Sequence, residues 1–113
     1  MPHYVIAGRY TDQWKALPFN TEGGLGIPVF EDEERAQDFI EANWKSLGPG
    51  WESKLLWANQ LAYVLERYAA EEGVHLVVLD PPPAPIAQLV GVQEVEVVEI
   101  GQFVSLLRDH YGL

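Results

Sequence analysis

The sequence predicts a single small α+β domain over residues 1–113, with a mixed sheet of about four strands and three helices packed on it. Three observations lead there. Leu76-Val77-Val78-Leu79 is an aliphatic, β-branched run without polar alternation, as suits a strand covered on both faces. Long stretches with helical spacing lie on both sides of that run. Glycine and proline clusters separate the periodic stretches, at Gly23-Gly24, Gly48-Pro49-Gly50, Gly73 and Pro81-Pro82-Pro83-Ala84-Pro85.

Taken in order, Tyr4 to Arg9 is a short apolar strand, ended by Gly8-Arg9. Thr11 to Gly24 reads as an irregular connection carrying Trp14, Leu17 and Phe19; a loop of this length is often functional, and the simpler expectation is that its aromatic rings pin it to the core. Leu25 to Phe30 is a second strand, and Pro28 within it implies an edge position or a late start. A helix follows. Asp32 is its N-cap, acidic residues occupy its first turn, and Ala36, Phe39, Ile40, Trp44 and Leu47 share one face. A second helix is predicted from Trp51 to Glu72, with Gly73 as a left-handed stop. Val74 to Leu79 is the buried strand at the centre of the sheet, and the proline run after it is expected to be extended. Val92 to Val98 alternates, with Val95 and Val97 on one side and Glu94 and Glu96 on a wet side. Ile100, Phe103, Val104, Leu107 and Tyr111 mark a last amphipathic helix, closed by Gly112.

Composition narrows the function classes. Seven basic residues against seventeen acidic ones give a formal charge of −10, the wrong sign for nucleic acid or an anionic lipid surface. No partner of either kind is expected. The absence of cysteine removes disulfides, thiol catalysis and cysteine-based metal centres. No run approaches the ~20 apolar residues of a membrane span, and Tyr4–Ala7 is too short for a signal peptide, so the expected location is cytoplasmic. One methionine, no cysteine and eight prolines are compatible with a thermophilic source.

Candidate chemistry is sparse. Glu31 to Glu34 lacks the alternating ligands and turn glycine of a calcium loop and is explained as a helix start. His3, His75 and His110 show no ligand spacing, so no metal and no cofactor are expected. Gly23-Gly24-Leu25-Gly26 precedes a strand rather than opening a helix, which makes it a turn and not a phosphate loop. Ser46, Ser53 and Ser105 stand in no nucleophile-elbow context, and Ser53 falls inside the second predicted helix. Glu94, Glu96 and Glu99 read as a solvated strand face. Asp80 is the one candidate ligand-binding residue, because it stands at the carboxyl end of the central strand, where open α/β sheets place their sites; an aspartate before proline is also an ordinary turn starter. Trp14, Phe19, Trp44, Trp51 and Trp57 form the candidate interface set, since four tryptophans in the first 57 residues exceed what a small core readily encloses.

Two segments carry a family resemblance. Ile27-Pro28-Val29-Phe30-Glu31-Asp32 with the helix after it, and Leu76-Val77-Val78-Leu79-Asp80-Pro81, are similar to the strand-to-helix and strand-to-turn motifs of the SseB-like (enhanced serine sensitivity) domain family. This chain has Asp80 where that family tends to have Asn, and Pro82-Pro83 where Gly and Ser are usual. The resemblance implies a small α/β domain without an established catalytic set. The leading expectation is therefore a protein–protein or self-association module, most simply a homodimer through Trp44, Trp51 and Trp57, with no catalytic residues assigned. The alternative is a small-molecule binder or enzyme with a pocket near Asp80 and the proline-rich loop.

Overall fold

In the computed structural model the chain is described over residues 2–10, 13–21, 23–84 and 96–112. Among the described residues seven strands form one mixed sheet: β1 (His3–Tyr10), β2 (Gln13–Ala16), β3 (Phe19–Thr21), β4 (Gly24–Phe30), β5 (Trp51–Leu56), β6 (Leu76–Leu79) and β7 (Glu96–Glu99). Four helices accompany them among the described residues: α1 (Glu33–Ala42), the single turn α2 (Trp44–Leu47), α3 (Ala58–Glu71) and α4 (Ile100–Tyr111). The small α+β domain with a mixed sheet holds, but with seven strands rather than about four and four helices rather than three.

The spine of the sheet runs β5-β1-β4-β6-β7, with only β4 and β6 parallel. Val5 pairs with Lys54 of β5 and also with Val29 of β4, so β5 and β4 flank β1 on opposite sides. Ala7 and Gly8, one turn of pleat further on, pair with β5 and with β2. β2 therefore occupies the same flank of β1 as β4. The same reading of β4 puts β3 on its β1 side. β1 and β4 thus touch at one end and diverge at the other, and the short strands β2 and β3 fill the fork. The amide of Leu17 closes its apex by donating to the Ile6 carbonyl at 2.8 Å.

Strand alternation sends successive side chains to opposite faces, and both faces are covered. Val5, Ile27, Val29 and Val77 pack with Leu61 and Leu65 of α3 and with Phe103, Val104 and Leu107 of α4. Ile6, Phe30 and Val78 pack with Ala36, Phe39 and Ile40 of α1, together with Phe19. The first predicted helix starts as expected: the Asp32 carboxylate accepts the Arg35 amide at 2.8 Å. Gly73 takes the left-handed conformation (φ +67°) that stops α3, and α4 buries Ile100, Phe103, Val104 and Leu107 before Gly112.

Several expectations are corrected. The connection 11–24 contains β2 and β3; strands of three and four residues are too short to show a period. The predicted helix 51–72 is two elements, because Trp51–Leu56 pairs along its whole length with β1 and the helix begins only at Ala58. Ser53 is therefore a strand residue. Pro28 lies inside an interior strand rather than at an edge. The Val29 carbonyl accepts from the Asp80 amide on the β6 side, so by alternation the donorless nitrogen of Pro28 faces the fork, where no ladder partner is needed. Asn43 ends α1 before Trp44, which leaves that indole exposed instead of on the helix's buried face.

Leu76–Leu79 has its two central valines fully buried, but it is next to the edge strand β7, and among the described residues the longest buried run is Gly26–Phe30 of β4. In β7 it is Val98 that packs on the core while Val97 is exposed, the reverse of the expected phase; residues 92–95 of that predicted strand lie outside the described residues. The proline run is bent at its end, where the Ala84 amide donates to the Pro82 carbonyl at 2.7 Å; Pro85 lies outside the described residues.

Candidate functional site

The free edge of β5 is the part of the molecule least explained by folding alone. Among the described residues β5 has β1 as its only strand partner. The direction of its backbone groups follows from its neighbours. The Ile6 carbonyl bonds Leu17 across the fork, so Ile6 points away from β5, and so does its partner Ser53 on the other side. By alternation the N–H and C=O of Trp51, Ser53 and Leu55 all face outward, while those of Glu52, Lys54 and Leu56 bond β1. Side chains on this strand divide with the same period. Trp51, Ser53 and Leu55 share the face of Ile6 and α1; Glu52, Lys54 and Leu56 share the face of Val5 and α3.

The surroundings are apolar for a surface. Leu55 is 40% exposed and Trp57, just after the strand, 55%. Trp51 lies flat over Gly8, where an added Cβ would come within 2.8 Å of the indole, and its Nε1 donates to the Leu47 carbonyl at 3.1 Å. Only part of that ring is covered. The Ser53 hydroxyl accepts from Gln37 of α1 at 2.9 Å.

Of the five aromatic residues expected at an interface, the structure gathers only some. Trp51 and Trp57 bracket β5, and Trp44 is exposed in α2, one turn before the Leu47 that holds Trp51. Phe19 is buried and stacks on Phe39 with ring centroids 6.2 Å apart, so it belongs to the core. Trp14 is on the opposite face, against the α3 layer.

Trp14 instead belongs to an open groove of about 790 Å³ between α3 and the β2–β5 end of the sheet. The Lys54 ammonium stands 5.0 Å from the Trp14 ring centroid, and Tyr63 and Arg67 form the facing wall. Arg67 is bound to Glu71 at 3.2 Å, whereas Lys54 has no carboxylate within ion-pair distance among the described residues. Lys15 also borders the groove, though strand alternation directs its side chain to the other face from Trp14. Tyr68 anchors the inner end. Its hydroxyl accepts from the Ala16 amide at 2.8 Å, and burial raises its pKa above the ordinary value.

Asp80 has a different surrounding from the one its position suggests. One carboxylate oxygen accepts from the Glu31 amide at 3.0 Å and the other lies 3.3 Å from Arg35. The adjoining cavity, formed with Asp38 and Pro81–Pro83, is about 210 Å³, below the ~300 Å³ at which small-molecule pockets begin. His3 sits nearby with its ring edge-on to Phe103 at 6.2 Å. Its Nδ1 is buried without a hydrogen-bond partner among the described residues, and burial pushes the imidazole below its ordinary pKa. Among the described residues no group of three or more His, Asp or Glu is placed to hold a metal ion, and no helix is long and apolar enough to cross a membrane.

The chain matches no protein-family model and no curated protein sequence.

Proposed function

We propose that this domain is a protein-interaction module without catalytic activity, and that its docking surface is the free edge of β5 with Trp51, Leu55 and Trp57 as apolar anchors. The supporting observation is the contrast between the two edges of the sheet. Over its described residues β7 carries exposed Glu96 and Glu99, and charged side chains on an edge strand are a common way of discouraging added strands. β5 is six residues long, and beside its outward backbone groups stand a half-covered tryptophan and exposed leucine and tryptophan side chains. Strand addition uses such an edge for main-chain bonds and alternate side chains for specificity. Kinship with the SseB-like domains belongs to the same proposal; the two motifs that resemble that family lie side by side as the parallel strands β4 and β6.

A photo-cross-linking residue at position 55, in the cells that make the protein, tests the reading against one at Leu106, which is also exposed but on α4. Discrete adducts from 55 and not from 106 support it. Equal or absent labelling from the two positions removes it. A second reading, a small anionic ligand with a flat ring, is favoured by Lys54 over Trp14 in the 790 Å³ groove rather than by the Asp80 cavity.

A further inference from the structure

We propose that the partner is a second copy of this chain, joined edge to edge through β5 in antiparallel register, with Ser53 opposite the partner's Ser53 on the two-fold axis. The inference rests on β5 being the docking edge and goes further by naming the occupant and the register. Its basis is that the strand Trp-Glu-Ser-Lys-Leu is self-complementary about its centre.

The register follows from backbone direction and charge. Only Trp51, Ser53 and Leu55 present outward N–H and C=O groups, so these must oppose one another. That condition restricts the alternatives to shifts of two residues. With Ser53 opposite itself, Trp51 faces the partner's Leu55 and Leu55 faces the partner's Trp51. The Ser53 pair on the axis exchanges two main-chain bonds, and the outward groups of Leu55 face the partner's strand on either side of it. Between them fall the close, non-hydrogen-bonded positions, where Glu52 faces the partner's Lys54 and Lys54 the partner's Glu52. Opposite charges there attract across a Cα separation of about 4.5 Å. A shift of two in one direction sets Glu52 against the partner's Glu52, and in the other Lys54 against the partner's Lys54. Both like-charge arrangements are unfavourable. Charge thus rules out both neighbouring registers, and larger shifts lose main-chain pairs and the Glu52–Lys54 attraction.

The faces agree as well. Paired residues across an antiparallel ladder share a face, so both Trp51–Leu55 pairs gather on the α1 side and both Glu52–Lys54 pairs on the α3 side. Lys54, without a carboxylate among the described residues of its own chain, gains one from the partner. Trp57, one residue beyond the strand, lies opposite the partner's Pro49, whose missing N–H ends the ladder without an orphan donor. A single-strand seam is smaller than the ~800 Å² per partner of a standard interface. The dimer is therefore concentration-dependent, with Kd on the order of micromolar rather than nanomolar.

The absence of native cysteine makes the test direct. In this register two Ser53→Cys chains place their Cα atoms about 5.5 Å apart, inside the ~4.4–6.8 Å range of disulfides. Ser53→Cys should give a covalent dimer under mild oxidation. Glu52→Cys mixed with Lys54→Cys should cross-link as a heterodimer faster than either variant alone. Independently of cross-linking, Lys54→Glu should weaken sedimentation-measured association at least about tenfold, and the swap Glu52→Lys/Lys54→Glu should restore it. Circular dichroism establishes that each variant is folded.

A single species of 12.7 kDa up to high micromolar protein overturns the proposal, as does a dimer in which Ser53→Cys does not cross-link or the charge swap does not rescue. If the purified protein is monomeric while position 55 still labels another protein in cells, self-pairing fails and the docking edge stands. If neither occurs, both fail.

Discussion

Replacing Asp80 separates the two things this residue does. It is the one non-glycine residue at positive φ (+44°) among the described residues, and its carboxylate ties the end of β6 to the turn between β4 and α1. A hydrogen bond to a charged acceptor contributes about 1.5–3 kcal/mol, and partial exposure of this side chain favours the lower half of that range. The pair with Arg35 adds little, about 0–1 kcal/mol, since the guanidinium is half exposed. Holding a residue with a Cβ in the left-handed region costs roughly 1–2 kcal/mol, less for aspartate than for alanine.

Asp80→Ala loses the contacts and keeps the strained backbone, so about 3 kcal/mol is expected. Asp80→Gly loses the same contacts but relieves the backbone, for about 1.5 kcal/mol. Asp80→Asn keeps an acceptor and tolerates the conformation, for at most about 1 kcal/mol. With an unfolding entropy near 2.1 cal/mol/K per residue, each kcal/mol shifts Tm by about 4 °C in a chain of 113 residues. Calorimetry should therefore give Asn, Gly and Ala in order of falling Tm, with about 12 °C lost in the last. Alanine no worse than glycine would refute the backbone argument. Asparagine as harmful as alanine would show that charge, not the bond to the Glu31 amide, is what matters.

Two further outcomes are expected. Tyr68→Phe leaves the amide of the buried Ala16 without its partner and should cost about 1–3 kcal/mol, read as a lower denaturation midpoint at unchanged slope; an unchanged midpoint would mean that the bond holds nothing. His3 has a folded pKa pushed below its ordinary 6.5 by burial, against an upward pull from Glu31 and Asp80, so the unfolded chain takes up the proton first as pH falls. Stability from this group is present above 6.5, falls as pH drops from there toward the folded value, and levels off below it. His3→Gln should flatten the slope in that window, and an identical slope in wild type and variant would dismiss the assignment.

The helical parts of the fold were legible because each carries its own stop and start. Asp32 with two glutamates, Gly73, and the Ile100–Leu107 stripe act within a few residues of where they stand. The short strands were not. Trp51–Leu56 follows directly into a helical stripe, and a tryptophan, two leucines and two charges in six residues fit a helix face as readily as a strand. Only pairing with β1 decides between them, and pairing is not local. The candidate site suffered the same loss. Trp51 and Trp57 were visible as large exposed rings in waiting, but the edge between them was hidden inside a predicted helix. Phe19 and Trp14 looked alike in sequence, yet one faces α1 and the other α3, because odd and even places on short strands face opposite ways.

Pro28 joins these errors to one cause. Read alone, a proline in a strand means an edge, because a ladder would lack a donor there. Here the lack falls at the fork, where β1 has left β4 and β3 has not yet met it. An interior strand can carry a proline at that point at little cost. The opening is then filled by β2 and β3, so the stretch that looked like a long loop is sheet of the shortest kind. Filling the fork also uses up the inner flank of β1, with Ala7 and Gly8 pairing there to β2. The outer flank is left to β5 alone, and among the described residues nothing pairs beyond it. The insertion that completes the sheet on one side of β1 therefore leaves β5, with Ser53 and Leu55 turned outward, as the last described strand on its other side.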